Sequence, residues 1–361
     1  MSKLQGTAAR FLSLSSLGRA LSACHFCLHA CLRTFERTPE HLARGQYLAE
    51  NLGCFDCHGE RDWTKHNAPL IEGTKGAGPA DFPLKGFPGR VVPPNITPDQ
   101  ETGAGNWSDD QLARAIREGI GYDGRTLFPF MPYPAFRHIC DEDLASVIVY
   151  LRSIPPVRKS LPKKEIIIPI KYLIRSVPEP LTVPVSQSDL STPLKRGEYL
   201  VAIAACTECH TPQAKGQPIR GLECSGGFIL DGPWGRIASA NITPDPSGIS
   251  CYDEAIFLGA MRTGFVRARK LNQIMSWYNY RYLTDEDLKA IVVYLRALKP
   301  VQHRVDKPNP LLHANCAASA TARVIRTDFV PVYSLHRKQP AFPCLEIIGN
   351  CGLAHSTGIA L

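Results

Sequence analysis

Two short stretches of this sequence combine cysteine and histidine at a spacing that can bind a metal or a metal cofactor. The first is CFDCH at residues 54–58, and the second is CTECH at residues 206–210. Two cysteines, two spacer residues and a histidine form the attachment signature of a c-type haem. The same residue types can also contribute to a zinc site, because thiolate and imidazole are zinc's usual ligands. The chemistry is therefore either redox or structural.

The residues around each stretch discriminate between zinc and haem. A zinc site needs four protein ligands, and near the first stretch the extra ligands could come from His66, His138 and Cys140. After the second stretch there is no further histidine before residue 303, and Cys224 and Cys251 have no counterparts at matching places in the first half. A duplicated zinc site should duplicate all its ligands, so the sequence favours haem.

A haem iron bound by histidine on one face commonly takes a methionine sulfur on the other. Of the four methionines in the chain, Met131 and Met275 precede a shared DEDL segment by the same distance. A methionine more often fills space in the core. Here the equivalent positions of the two residues and the small number of methionines in the chain favour a ligand role. We predict these cofactor-binding residues: Cys54, Cys57, Cys206 and Cys209 as thioether anchors, and His58 with Met131 and His210 with Met275 as the ligand pairs of two irons.

The residues around these ligands occur in two copies of one unit. TPEHLARGQYLAENLGCFDCH at 38–58 matches TPLKRGEYLVAIAACTECH at 192–210, and NITPD at 95–99 recurs at 241–245. DEDLASVIVYLRSIPPV at 141–157 recurs as DEDLKAIVVYLRALKPV at 285–301. The shared order of the parts indicates an internal duplication. Each copy reads as helix, signature, long loop, helix, loop, helix.

The first helix of each copy carries the same signals. Thr38 and Thr192 are suitable N-caps, and each is followed by proline at the first helical position. Gly45 and Gly197 fall in the middle of these helices, where glycine costs about 1 kcal/mol relative to alanine. A helix flank without a side chain lets another helix approach closely, so we expect a tight helix contact at both glycines.

The last helix of each copy carries an apolar stripe at helical spacing, over residues 144–151 and 288–295. Thr284 is placed to cap the second of these helices. Cys140 holds the equivalent position in the first copy. We therefore expect that the first of these helices takes its cap from another residue, Asp141.

The repeated CxxCH, the NITPD loop, the GYDGRTLFPFMPY stretch and the TDEDL helix resemble the two-domain di-haem cytochrome c family. More closely, they resemble cytochrome subunits of membrane-associated alcohol, gluconate and aldehyde dehydrogenases. The resemblance covers roughly residues 36–305 and implies an all-α fold of two tandem cytochrome c-like domains, each wrapped around one covalently bound haem. Such subunits often carry three haems, whereas this chain has two signatures. The loop before Met275, GFVRARKLNQIMSW, departs from the family pattern because it lacks the DGR and the proline before methionine.

These observations divide the chain into five parts. Residues 1–35 are a weak export signal or a disordered start, 36–157 the first cytochrome c domain, and 158–190 a proline-rich linker. Residues 191–303 are the second cytochrome c domain, and 304–361 a tail of unknown structure. Because c-type haem is attached outside the cytoplasm, we expect the protein in the periplasm or at the outer face of the cytoplasmic membrane. No run of 18 apolar residues predicts a transmembrane helix.

Composition narrows the function further. With 44% apolar and 20% charged residues the chain reads as globular, and its net charge of +8 includes no basic block interleaved with aromatics that would bind nucleic acid. We expect two haem c groups that carry electrons, from a partner dehydrogenase subunit towards a terminal oxidase or a quinone-linked complex. The basic surface and the linker suit a partner or a peripheral membrane contact.

The alternative is a di-haem cytochrome c peroxidase-like enzyme with one open haem. That alternative requires one iron with a displaceable ligand and a nearby acid–base group. Two equivalent methionines argue against it. We therefore expect an electron carrier, or the cytochrome subunit of a dehydrogenase complex, and predict no catalytic residue of the chain's own.

Overall fold

The computed structural model describes residues 35–214 and 216–305. The predicted export segment and the C-terminal tail lie almost entirely outside the described residues. The helices in these ranges are α1 (Pro39–Asn51), α2 (Cys54–Cys57), α3 (Asp109–Glu118), α4 (Tyr133–Phe136), α5 (Asp141–Ser153), α6 (Ile170–Leu173), α7 (Pro193–Ile203), α8 (Cys206–His210), α9 (Glu254–Thr263), α10 (Trp277–Tyr280) and α11 (Asp285–Ala297), with one 3-10 turn (Ile174–Ser176). The strands are β1 (Gly89–Arg90), β2 (Glu165–Ile166), β3 (Gln213–Ala214), β4 (Gln217–Pro218), β5 (Ile229–Gly232), β6 (Gly235–Ala238), β7 (Phe265–Val266) and β8 (Arg269–Lys270).

The described part of the chain is mostly helical, as predicted, and the two copies share one order of elements. Helices α1 to α5 of the first copy correspond to α7 to α11 of the second. The strands pair β1–β2, β3–β4, β5–β6 and β7–β8, all antiparallel. The β3–β4, β5–β6 and β7–β8 hairpins belong to the second copy. At the places equivalent to β3–β4 and β7–β8, the first copy has single antiparallel bridges, Arg61–Leu70 and Ile120–Thr126. None of the described helices is both long and apolar enough to cross a lipid bilayer.

The first and last helices of each copy cross at a glycine, as the sequence predicts. A Cβ built on Gly45 would lie 1.8 Å from the carbonyl oxygen of Ser146 in α5. A Cβ built on Gly197 would lie 2.0 Å from the carbonyl oxygen of Ala290 in α11. These distances are far inside van der Waals contact, so only glycine lets the backbones of each pair approach so closely.

The helix caps agree with the sequence at three positions and differ at one. The threonines that precede α1, α7 and α11 each accept a backbone N–H with the side-chain oxygen. The expectation that α5 takes its cap from a residue other than Cys140 was wrong. The Sγ atom of Cys140 accepts from the backbone N–H of Asp143 at 3.5 Å. Cys140 can do so because its backbone, at φ −64° and ψ 160°, has the same extended conformation as Thr284.

The linker runs along the first copy. Strand β2 of the linker pairs with β1, and the backbone N–H of Asp141 donates to the carbonyl of Val185 at 3.0 Å. Ile170 and Ile174 are buried. Ile167 and Ile168, in contrast, expose 55% and 71% of their surface. The linker therefore presents apolar side chains to solvent beside the ones that hold it in place.

The two copies meet through a reciprocal pair of tyrosine contacts. The hydroxyl of Tyr47 in α1 donates to Asp287 in α11, and the hydroxyl of Tyr199 in α7 donates to Asp143 in α5, the latter at 2.7 Å. Each aspartate also pairs with an arginine of its own copy, Asp143 with Arg44 and Asp287 with Arg196. In each copy this arginine lies three residues before the tyrosine. The interface therefore has an approximate twofold symmetry, in which each copy offers the other the same groups.

Candidate functional site

Each CxxCH stretch forms a short helix that starts directly at its first cysteine. Helix α2 follows Gly53 at φ 79°, and α8 follows Ala205 at φ 54°. The left-handed residue ends the preceding helix and turns the chain sharply. The three-residue spacing within each short helix then places both thiols of a pair on one face. Ala205 adopts a backbone conformation that is unfavourable for a residue with a Cβ, whereas the first copy has glycine there.

Both histidines are held by a backbone carbonyl. The Nδ1 atom of His58 lies 2.7 Å from the carbonyl oxygen of Pro94, and that of His210 lies 2.7 Å from the carbonyl oxygen of Ala240. A carbonyl can only accept, so Nδ1 carries the proton and Nε2 keeps its lone pair for a metal. Burial lowers the pKa of His58, which favours the neutral, ligating form. The sequence identified the histidines but gave no signal for these two carbonyls.

The NITPD loops hold these carbonyls in place. The side chain of Asn95 accepts from the backbone N–H of Thr97 at 2.9 Å and donates to the carbonyl of Val157 at 2.7 Å. Asn241 makes the same two contacts with the equivalent backbone groups, at 2.9 Å in both cases. Both asparagines are buried. Each one therefore braces its loop against the chain that follows the last helix of its copy.

The two predicted methionine ligands occupy equivalent turns. The backbone N–H of Met131 donates to the carbonyl of Phe128, and that of Met275 to the carbonyl of Asn272, both at 3.1 Å. In each copy the methionine carbonyl then accepts from the residue two positions later, at the start of α4 or α10. Both methionines are half-buried against the core. Their structural equivalence is thus established, while coordination of iron by either sulfur stays a prediction.

None of the four signature cysteines is in a disulfide bond. Burial raises the pKa of Cys54 and of Cys206 to about 12. Within the described ranges, no group of three or more histidine, cysteine or acidic side chains is placed to hold a metal ion. His66, one of the additional zinc ligands considered above, packs instead against the ring of Trp277. The described residues thus offer the zinc alternative no ligand set.

Comparison with known proteins agrees with this geometry. The sequence profile described as Cytochrome c matches the chain twice, over residues 42–155 and 194–299. Each match contains one CxxCH helix, one oriented histidine and one of the two equivalent methionines. The chain belongs to the cytochrome c family, whose domains bind haem c covalently.

Three relatives place the chain within this family. The cytochrome c subunit of alcohol dehydrogenase (quinone) from Gluconobacter oxydans is 27% identical over 277 residues, which are 72% of this chain and 55% of the relative. The fructose dehydrogenase cytochrome subunit from Gluconobacter japonicus is 31% identical over 71% of this chain and 52% of the relative. A diheme cytochrome c-type protein from Cereibacter sphaeroides is 27% identical over 72% of this chain and 86% of the relative. The chain spans about half the length of the first two. The three relatives are thus named as cytochromes or as cytochrome subunits of dehydrogenases.

Proposed function

We propose that the chain holds two haem c groups, one in each copy, and passes electrons one at a time between a partner dehydrogenase and the respiratory chain. The observation that carries this proposal is the matched orientation of His58 and His210. In both copies a carbonyl 2.7 Å from Nδ1 leaves Nε2 as the metal-binding atom. Such a hydrogen bond also strengthens a histidine ligand.

The residues present fit haem c in both copies. When bound, haem c supplies a one-electron couple at its iron. The two thiols of each pair would anchor it, Cys54 with Cys57 and Cys206 with Cys209. His58 and Met131 would bind the iron in the first copy, and His210 and Met275 would bind it in the second. Two side-chain ligands for each iron would leave no place for a substrate, which suits a carrier.

The peroxidase-like alternative requires that one copy lose its second ligand. The loop before Met275 differs in sequence and forms the β7–β8 hairpin, whereas its counterpart before Met131 is held by a single antiparallel bridge, Ile120–Thr126. The methionine turn itself is nevertheless the same in both copies. This equivalence supports two saturated sites and an electron carrier.

The electron route and the location are also proposals. The similar cytochrome subunits are named after alcohol, fructose and gluconate dehydrogenases, which supports a dehydrogenase subunit as the donor. A terminal oxidase or a quinone-linked complex would be the acceptor, at the outer face of the cytoplasmic membrane or in the periplasm. Residues 158–177 of the linker contain six basic residues and one acidic residue next to the exposed Ile167 and Ile168. This surface supports a peripheral contact with anionic lipid headgroups.

Haem quantitation on signature variants tests the proposal. The full chain is produced in a host with c-haem maturation, as wild type, as Cys54→Ser/Cys57→Ser and as Cys206→Ser/Cys209→Ser. We expect two covalent haems in the wild type and one in each variant. Cys140→Ser is the matched control, since it alters a buried free cysteine outside both signatures and should keep both haems. Equal haem content in all four proteins would refute the assignment of the signatures.

A further inference from the structure

A closed polar triangle joins the first haem-attachment turn to the second copy. Asp56 lies between the two cysteines of the first signature, and its Oδ2 atom accepts from Nδ2 of Asn279 in α10 at 2.8 Å. Its Oδ1 atom lies 2.5 Å from Nη2 of Arg61. The same Nη2 donates to Oδ1 of Asn279 at 3.0 Å. The side chains of Arg61 and Asp56 are only 8% and 14% exposed, so the charges act in a poorly solvated interface.

Helix α10 lies between the two attachment turns. The guanidinium of Arg61 stacks 4.5 Å from the ring centroid of Tyr278. The hydroxyl of Tyr280 donates to the carbonyl oxygen of Ala204, two residues before the second signature, at 3.3 Å. The residues of α10 that follow Met275 therefore contact the turn that would anchor the haem of the other copy.

This triangle has no counterpart at the second attachment turn, although the fold is duplicated. Four residues after the methionine, the second copy has Asn279 where the first has Ala135, which has no side-chain donor. Three residues after the histidine, the first copy has Arg61 where the second has Gln213. Among the described residues no cation pairs with Glu208, the counterpart of Asp56. The two attachment turns are thus electrostatically unequal.

We propose that Arg61, Asp56 and Asn279, which form the junction between the first attachment turn and the second copy, give the first copy the higher reduction potential. This inference rests on the proposed function, that is, on one haem in each copy. Arg61 neutralises the carboxylate at the first turn, whereas the carboxylate at the second turn has no such partner among the described residues. An unpaired negative charge stabilises the oxidised, more positive iron and lowers its potential. Arg61 and Asn279 are positioning residues that act through Asp56.

The duplication itself supplies the test variants. Arg61→Gln introduces the residue found in the second copy, and Asn279→Ala introduces the residue found in the first. Spectroelectrochemical titration of the holoprotein measures both midpoint potentials, and the Cys206→Ser/Cys209→Ser background assigns the first one. We expect Arg61→Gln to lower the first potential by about 59 mV, a tenfold change in the one-electron equilibrium. Asn279→Ala should lower the same potential by less, because it removes two hydrogen bonds and no charge.

The control is Arg117→Gln. Arg117 is also a well-buried arginine of the first copy, but it pairs with Asp141 at 2.6 Å and donates to the carbonyl of Ile139, both outside the attachment turn. It should leave both potentials unchanged. If Arg61→Gln is produced without haem, Arg61→Lys keeps the charge and should keep the potential. Two haems with no shift in Arg61→Gln, or an equal shift in the control, overturn the junction alone. Fewer than two haems in the wild type overturn the proposed function as well.

Discussion

Replacing Gly45 with alanine should destabilise the first copy, because the new methyl group has no space. The added Cβ would lie 1.8 Å from the carbonyl oxygen of Ser146 and 2.8 Å from Cβ of Tyr150. The nearest neighbour is backbone, so α1 and α5 must move apart. Overpacking of this kind costs typically about 1–3 kcal/mol. Alanine regains about 1 kcal/mol of helix propensity. Because the clash is with backbone, we take about 3 kcal/mol for the overpacking, so the free energy of unfolding falls by about 2 kcal/mol after the gain in helix propensity.

Chemical and thermal unfolding of the haem-loaded protein measure this change. At about 2.1 cal/mol/K of unfolding entropy per residue, a loss of about 2 kcal/mol lowers the melting temperature of a chain of 361 residues by about 3 °C. Gly259→Ala is the matched control, since Gly259 lies within α9 and its Cβ would meet nothing within 4 Å. That variant should gain about 1 kcal/mol from helix propensity. If Gly45→Ala were as stable as Gly259→Ala, the close crossing of α1 and α5 would be refuted.

Three further predictions concern pH, the loops and the linker. The hydrogen bond from His41 to Glu142, followed by the one to the Glu36 carbonyl, raises the pKa of His41 above 6.5. The stabilisation from protonated His41 is therefore complete below the pKa of the unfolded state and disappears as the pH rises through the pKa of the folded state. His41→Gln should therefore lose more stability at pH 5 than at pH 9. Asn95→Ala should lower the unfolding free energy by about 2–3 kcal/mol in denaturant titration, because it leaves buried backbone groups unpaired; wild-type stability would contradict the bracing role. Ile167→Ser/Ile168→Ser should weaken co-sedimentation with anionic vesicles, while Val183→Ser, equally exposed at 69%, should not. Equal binding by the wild type and both variants would refute the linker surface.

Local signals in the sequence sufficed where neighbouring residues decide the structure. The threonine–proline pairs predicted the starts of α1 and α7, and the bare flanks of Gly45 and Gly197 predicted the helix crossings. The cap of α5 was predicted wrongly, because a thiol was not considered an acceptor. The backbone conformation at Cys140 still brings Sγ within reach of the first-turn N–H groups.

Contacts between distant residues could not be predicted from one sequence. The carbonyls that orient the two histidines lie 36 and 30 residues away from them, and carbonyls have no residue-type signature. The reciprocal tyrosine contacts were missed, although the repeated segments contain a signal: Tyr47 and Tyr199 each follow an arginine by three residues. The repeated tyrosine is explained by its contact with the other copy, and that contact becomes visible only when the two copies are placed face to face.

The most direct test of the central claim is a visible absorption spectrum of the matured protein with haem quantitation. It is recorded oxidised, reduced, and reduced with carbon monoxide. The proposed ligands predict two covalent haems per chain, the weak methionine–iron charge-transfer band in the oxidised form, and no response to carbon monoxide. Carbon monoxide binding at one haem would contradict full ligation and favour the peroxidase-like alternative. A protein that matures without covalent haem would contradict the electron-carrier function altogether.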